Sequence, residues 1–333
     1  MKPAGGASVI PATLPDSLRR PDNRDAVPSD SIPPSTLDPL AAIPASWPHR
    51  DLSLFVEAAG IRWHVQSTGD GPVVLLLHGT GAATHSWASL IPWLAARFTV
   101  VAIDLPAHGF TSRPPNDRLT IDGMASDVLA LCAAIGRSPA VVVGHSAGAA
   151  VALAMTLKPA QAIRAVVGIN AALVPPNAWY RTFVAPLVNP IASSAPAGVL
   201  AALLTRSTGI GRSLIRSAGT PLDAAQETRY AELLGDADHA GGVLAMMANW
   251  DLDDLVRRLP GVRVPVTLLA PHDDPFVALD RVRATAEAIP RCTITAPETG
   301  GHIAHEHDPA VAARVIIDAA TLADVLPHDT RGG

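Results

Sequence analysis

Cysteine is nearly absent from this chain, with two in 333 residues, Cys132 and Cys292. Cys132 lies in an Ala/Leu-rich run and Cys292 in a short run of β character, so both read as buried free thiols. A disulfide framework is not supported, which fits a reducing cytoplasm. Positive charge is also scarce. The formal net charge is −5, so the whole chain offers no basic footprint for nucleic acid and no polybasic patch for anionic lipid. No apolar segment follows Met1-Lys2, so no secretory signal is expected. Arg19-Arg20 is followed by Pro21-Asp22-Asn23 instead of a hydrophobic stretch. Long hydrophobic runs are missing too. The long uncharged stretch Thr182 to Thr205 is cut by Pro186, Pro190 and Pro196, so no transmembrane segment is expected.

The chain does have apolar content, 48% against 17% charged, enough for a substantial core. Ten of its 31 prolines fall within residues 1–48, which read as an extended, mostly disordered arm. Strand and helix signals start at Leu52. The segments 52–58 and 61–66 alternate and meet at Gly60, as in a hairpin. Val73 to His78, Phe98 to Asp104, Ala140 to Gly144 and Ala165 to Asn170 are apolar runs, as expected of strands buried on both faces. Helices are expected over 87–96, 121–135 and 147–157. The rhythm stops over 173–250 and resumes with a strand at 264–270, a helix at 279–289, a strand at 292–296 and a helix at 309–325.

This alternation predicts an α/β fold with a mostly parallel sheet covered by helices on both faces. The expected division is an arm (1–48), a first core part (49–172), a helical cap (173–250), and a second core part with a C-terminal tail (251–333). The uncharged stretch 182–205 would either lie as a lid over a large flat hydrophobic ligand or pack on the core.

The chemistry centres on Gly144-His145-Ser146-Ala147-Gly148, a G-x-S-x-G pentapeptide between a buried strand and an Ala-rich helix. That setting gives a sharp turn that exposes the serine hydroxyl. Serine becomes a nucleophile only beside a base that takes its proton. In the chain order Ser…Asp…His, the base is expected at His302, with His305 and His307 as rivals. Gly300-Gly301 gives His302 a flexible loop at the strand ends. The acid, which fixes the imidazole tautomer, is expected at Asp274, with Asp273 as the alternative. Backbone N–H groups of Thr80 and Ala147 are the expected oxyanion donors, with Gly81 as second choice to Thr80. Asp104 and His108 read as structural supports below the site. The spacing of His302, His305 and His307 does not match a helical H-E-x-x-H site, so no metal is expected, and no cofactor.

Together these elements resemble the α/β-hydrolase fold superfamily from about residue 52 to 325. Haloalkane dehalogenases and epoxide hydrolases of this fold carry aspartate at the elbow, so Ser146 disfavours those activities. Several stretches resemble the magnesium-chelatase-associated hydrolases of bacteriochlorophyll biosynthesis clusters: Trp47-Pro48-His49-Arg50, Arg62-Trp63-His64-Val65-Gln66, His78-Gly79-Thr80-Gly81 through Trp87, and Met246-Met247-Ala248-Asn249-Trp250-Asp251. The last is the most specific, because it lies in the expected cap and has no catalytic reason to recur. The resemblance implies a cytoplasmic serine hydrolase with an ester or related acyl substrate, acting near magnesium insertion into a tetrapyrrole, with magnesium-chelatase subunits as partners. It leaves two alternatives: a non-catalytic porphyrin-binding or chelatase-assisting protein, and a general carboxylesterase, lactonase or C–C hydrolase.

Overall fold

The computed structural model describes residues 39–159, 162–174 and 185–327. The expected arm therefore falls outside the described residues up to position 38. Positions 39–48, expected as the end of that arm, are instead packed on the domain. Ile43 and Trp47 are buried, and the Trp47 indole N–H donates to Thr84 Oγ1 at 3.2 Å. The Arg50 guanidinium holds the segment through the carbonyls of Leu40 and Ile43.

The first half of the domain comprises β1 (Ser53–Ala58), β2 (Ile61–Thr68), β3 (Val73–Leu77), α1 (Ile91–Leu94), β4 (Thr99–Ile103), α2 (Ile121–Ala134), β5 (Val141–His145), α3 (Ala147–Thr156) and β6 (Ala165–Ile169). Among the described residues, six α-helices then intervene: α4 (Ala185–Ala192), α5 (Ala195–Thr208), α6 (Ile210–Arg216), α7 (Ala224–Leu234), α8 (Ala237–Asn249) and α9 (Leu252–Arg258). The domain resumes with β7 (Val266–Leu269), α10 (Leu279–Ala286), β8 (Cys292–Thr295), α11 (Ala304–His307) and α12 (Pro309–Leu322).

The strands form one eight-stranded sheet in the order β1-β2-β4-β3-β5-β6-β7-β8. The pairs β1–β2 and β2–β4 are antiparallel and all others are parallel. Ala59 (φ 53°) and Gly60 (φ 70°) turn the β1–β2 hairpin, with both residues left-handed as a two-residue primed turn requires. Alternate residues of the central strands feed opposite faces. Leu75 and Leu77 join α2 and α3 in one core, while Val74 and Leu76 join α1 and α12 in the other. Two-sided burial is the reason these strands are unbroken apolar runs. Among the described residues, no helix is long and apolar enough to cross a membrane.

The parallel strands β3, β5, β6 and β7 end on the same edge. Residues 78–81, 144–148, 170 and 270–277 leave from that edge, and the loop 296–303 joins them after β8. The crevice at the carboxyl ends of the strands is where open α/β sheets gather functional groups.

Candidate functional site

Ser146 sits between β5 and α3 with φ 49° and ψ −112°, a left-handed strained conformation for a residue with a side chain. The turn is so tight that its flanking positions must be glycine. A Cβ on Gly144 would fall 2.3 Å from the backbone of Gly148 and Ala149, and one on Gly148 would fall 2.1 Å from the Leu77 carbonyl oxygen. The strain is held by the sheet, since the Ser146 N–H donates to Ile169 O at 2.9 Å.

His302 faces this serine. Its Nε2 lies 3.0 Å from Ser146 Oγ, and its Nδ1 lies 2.9–3.0 Å from the two carboxylate oxygens of Asp274. All three residues are buried. Asp274 Oδ1 also accepts the N–H groups of Phe276 (2.8 Å) and Val277 (3.0 Å). Burial alone would raise the Asp274 pKa, but the bonds from His302, Asn170 and Phe276 outweigh it and hold the carboxyl below its usual range. An ionised Asp274 requires a proton on His302 Nδ1. That leaves Nε2 as the acceptor facing the serine hydroxyl.

The alternatives from sequence go elsewhere. Asp273 accepts from the N–H groups of Gly300 and Gly301, so it shapes the loop that carries His302. His305 Nε2 bonds Ser86 Oγ at 2.8 Å, and His307 lies on the surface. Asp104 is fully buried and accepts from His64 Nδ1, Thr84 N and Phe110 N, while His108 Nδ1 donates to Pro106 O. Neither bonds the Ser146–His302 pair. The three C-terminal histidines thus have three separate environments.

The loop 78–81 passes beside the serine, for a Cβ on Gly79 would lie 3.1 Å from Ser146 Cβ. His78 Nε2 accepts the Leu105 N–H (2.9 Å), so its proton sits on Nδ1 and is donated to Gly79 O at 2.7 Å. The same carbonyl accepts Ala82 N–H at 3.1 Å. These two bonds fix the plane of the Gly79–Thr80 peptide, and with it the direction of the Thr80 N–H. Burial lowers the His78 pKa to about 3, so the imidazole stays neutral. His239 on α8 accepts the Gly109 N–H and donates to Gly81 O at 3.2 Å, tying the same loop to the inserted helices. Ala147 opens α3, so its N–H has no acceptor within the helix.

Three supports were not visible in the sequence. Asn170, just past β6 with φ 50°, donates one amide hydrogen to Asp274 Oδ2 (2.7 Å) and the other to Gly301 O (2.9 Å). Thr220, between α6 and α7, donates to Gly300 O and accepts the Ile303 N–H, each at 2.9 Å. His145 donates Nε2–H to the His302 carbonyl at 2.8 Å. Asn170 reads in sequence only as the end of an apolar strand, and Thr220 only as part of the expected cap. Their partners lie 80 or more positions away. The inserted helices also reach His302 directly, since its N–H donates to Ala218 O at 2.8 Å.

Chemically, the arrangement holds a hydroxyl against an imidazole that is oriented by a buried carboxylate, with peptide N–H groups alongside. The family model described as alpha/beta hydrolase fold matches residues 72–309. The magnesium-chelatase 30 kDa subunit of Rhodobacter capsulatus is 38% identical over 278 residues, which are 81% of this chain and 94% of that protein. Among solved structures, the enol-lactonase of Burkholderia xenovorans superposes with a TM-score of 0.64 at 20% identity, covering 80% of this chain and all of that one. A thermophilic esterase from Thermogutta terrifontis gives a TM-score of 0.63 at 21% identity, covering 82% and 98% of the two chains. The chain belongs to the α/β-hydrolase-fold family and, within it, to the family of the magnesium-chelatase 30 kDa subunit.

Proposed function

We propose that this chain is a serine hydrolase that cleaves an ester or related acyl compound in bacteriochlorophyll or tetrapyrrole biosynthesis, as an accessory to magnesium chelatase. The observation that carries the chemical part is the unbroken Ser146–His302–Asp274 hydrogen-bond chain. Ser146 Oγ attacks the acyl carbon while its proton passes to His302 Nε2. Asp274 keeps the imidazole in the required tautomer and stabilises the imidazolium. The N–H groups of Thr80 and Ala147, with Gly81 as second choice to Thr80, hold the oxyanion of the tetrahedral intermediate. His302 then gives its proton to the leaving oxygen. A water molecule repeats the sequence on the acyl-enzyme, restoring the serine and releasing the acid.

In this reading, 49–172 and 251–333 form the hydrolase core, and 173–250 is a cap that shapes the acyl pocket. The contacts of Ala218 and Thr220 with the 300–303 loop support a cap that also orders the base. The pathway part rests on the relative's name. That relative is named as a subunit of an assembly, which favours a second reading: a chelatase-assisting protein that uses the fold without turnover.

The experiment compares wild type with Ser146→Ala on porphyrin esters and simple aryl esters, and in cells that depend on the protein for pigment. Hydrolysis lost with Ser146→Ala, together with lost pigment, supports the hydrolase. Unchanged turnover in the variant sinks it. Normal pigment in cells carrying only Ser146→Ala favours the second reading.

A further inference from the structure

The helix α5 is packed inside out. Its small residues face the protein: a Cβ on Gly198 would lie 2.7 Å from Gly241 Cα of α8, and Ala202 is 4% exposed. Its large residues face solvent at i, i+4 spacing, with Val199 and Leu203 at 58% and 60% exposure and Leu200 and Leu204 at 57% and 45%. The next helix, α6, continues the pattern with Ile210 and Leu214, again four apart and more than half exposed. Scattered exposed aliphatics are normal on a protein surface, but a stripe of them running along two successive helices is not.

The charge on these elements has one sign. The sequence contains no Asp or Glu from position 128 to 222. The cations on α5 and α6 are Arg206, Arg212 and Arg216, all exposed. Arg216 is paired with Glu227 of α7 at 2.8 Å. Arg212 lies 3.4 Å from the Thr228 hydroxyl and also faces the Glu227 carboxylate. Arg206 lies across Gly235. A second copy docked through the same stripe would bring Arg206 and Arg212 against their own kind. A surface that offers hydrocarbon at one depth and phosphate just above it matches both features, because arginine buries its stem beside apolar groups and keeps its guanidinium at the phosphate level. The whole-chain charge of −5 hides this local arrangement, which is why composition alone gives no lipid-binding patch.

We propose that the outer face of α5 and α6 docks this protein on an anionic lipid bilayer. The full-length protein is floated with vesicles of phosphatidylglycerol and phosphatidylcholine in equal parts, and separately with phosphatidylcholine alone. Wild type is expected to partition onto the anionic vesicles, and less so as salt is added. Removing two arginines in Arg206→Gln/Arg212→Gln lowers that partition about 25-fold at low salt, at about fivefold per charge. Leu200→Glu/Leu203→Glu lowers it by at least about tenfold, because two carboxylates replace exposed aliphatics that would enter the bilayer. Both variants lie on the exposed face, so their thermal midpoints match wild type. Absence of flotation with the anionic vesicles overturns the proposal. So does equal partition onto both vesicle types, or flotation unchanged in the Leu200→Glu/Leu203→Glu protein. A wild-type dimer that this variant dissociates would make the face a self-interface and also overturn it.

Discussion

Glu306 on α11 gives a prediction whose sign and size follow from its surroundings. The carboxylate is buried and accepts from Tyr230 Oη (2.6 Å), Ser86 Oγ (2.9 Å) and Gln226 Nε2 (2.9 Å), which joins α7 to the core. His305 shares Ser86 with it, and the Arg229 guanidinium faces it from α7. Burial dominates and raises its pKa, the three bonds and Arg229 lower it, and the net result is about 7, against an ordinary value of 4.5. The folded state therefore binds a proton that the unfolded chain releases. The stabilisation is complete below the unfolded pKa and disappears as pH rises through the folded one. Between about pH 5 and about pH 8 the linkage integral is on the order of 2–3 kcal/mol. Glu306→Gln keeps the size and an acceptor oxygen but removes the proton equilibrium. Denaturant unfolding of both proteins at the two pH values isolates the term, because every other titrating group cancels in the difference. Wild type should lose roughly 2–3 kcal/mol relative to Glu306→Gln as pH rises. A difference that stays flat, or grows in favour of wild type, refutes the argument that burial outweighs the three donors.

The two neighbouring aspartates should separate cleanly. Asp274→Asn is expected to cut kcat by about 10⁴-fold, by favouring the wrong His302 tautomer, whereas Asp273→Asn, which touches only the loop N–H groups, costs less than about tenfold. Steady-state kinetics on one aryl ester decide this. Asn170→Ala should lower kcat by about 10–100-fold with little change in KM, since it loosens Asp274 and the 300–302 loop together without removing a reacting group. His78, His145 and His239 are buried with pKa values lowered to about 3 by desolvation, against 6.5 when unfolded. Their neutral forms belong to the fold, so their contribution is complete above about pH 6.5 and is lost as pH falls from there toward about 3. Unfolding midpoints measured down that range should drop steeply, and a flat profile contradicts the assignment.

The fold's centre was legible because its signals are local. β3 to β6 are apolar and β-rich end to end, which only a sheet covered on both faces requires, and the elbow glycines announce a turn that nothing larger fits. The helix expected over 87–96 is instead two pieces, a 3-10 turn at Thr84–Trp87 and α1 at Ile91–Leu94. Pro92 cannot donate a backbone hydrogen bond, so it starts a helix instead of continuing one. Ser146, His302 and Asp274 could be picked out because each follows a recognisable strand. Asn170 and Thr220 could not, since each acts through partners 80 or more positions away. The stretch 182–205 was read as a lid or a packed helix from its apolar content. Residues 182–184 lie outside the described residues. In α5 the composition is as expected, but the side chains facing inward are the small ones. Which face of a mostly apolar helix is buried depends on its neighbour, here Gly241 of α8, and not on its own sequence.

The central claim is that Ser146 is the nucleophile. The most direct measurement is labelling by an aryl phosphonate ester, followed by mass spectrometry of the whole protein and its peptides. The account predicts one phosphonyl group per chain, on the peptide carrying Ser146, with none on Ser146→Ala and labelling slowed by several orders of magnitude in Asp274→Asn. Labelling of Ser146→Ala at the wild-type rate, or modification of another residue in wild type, would contradict it.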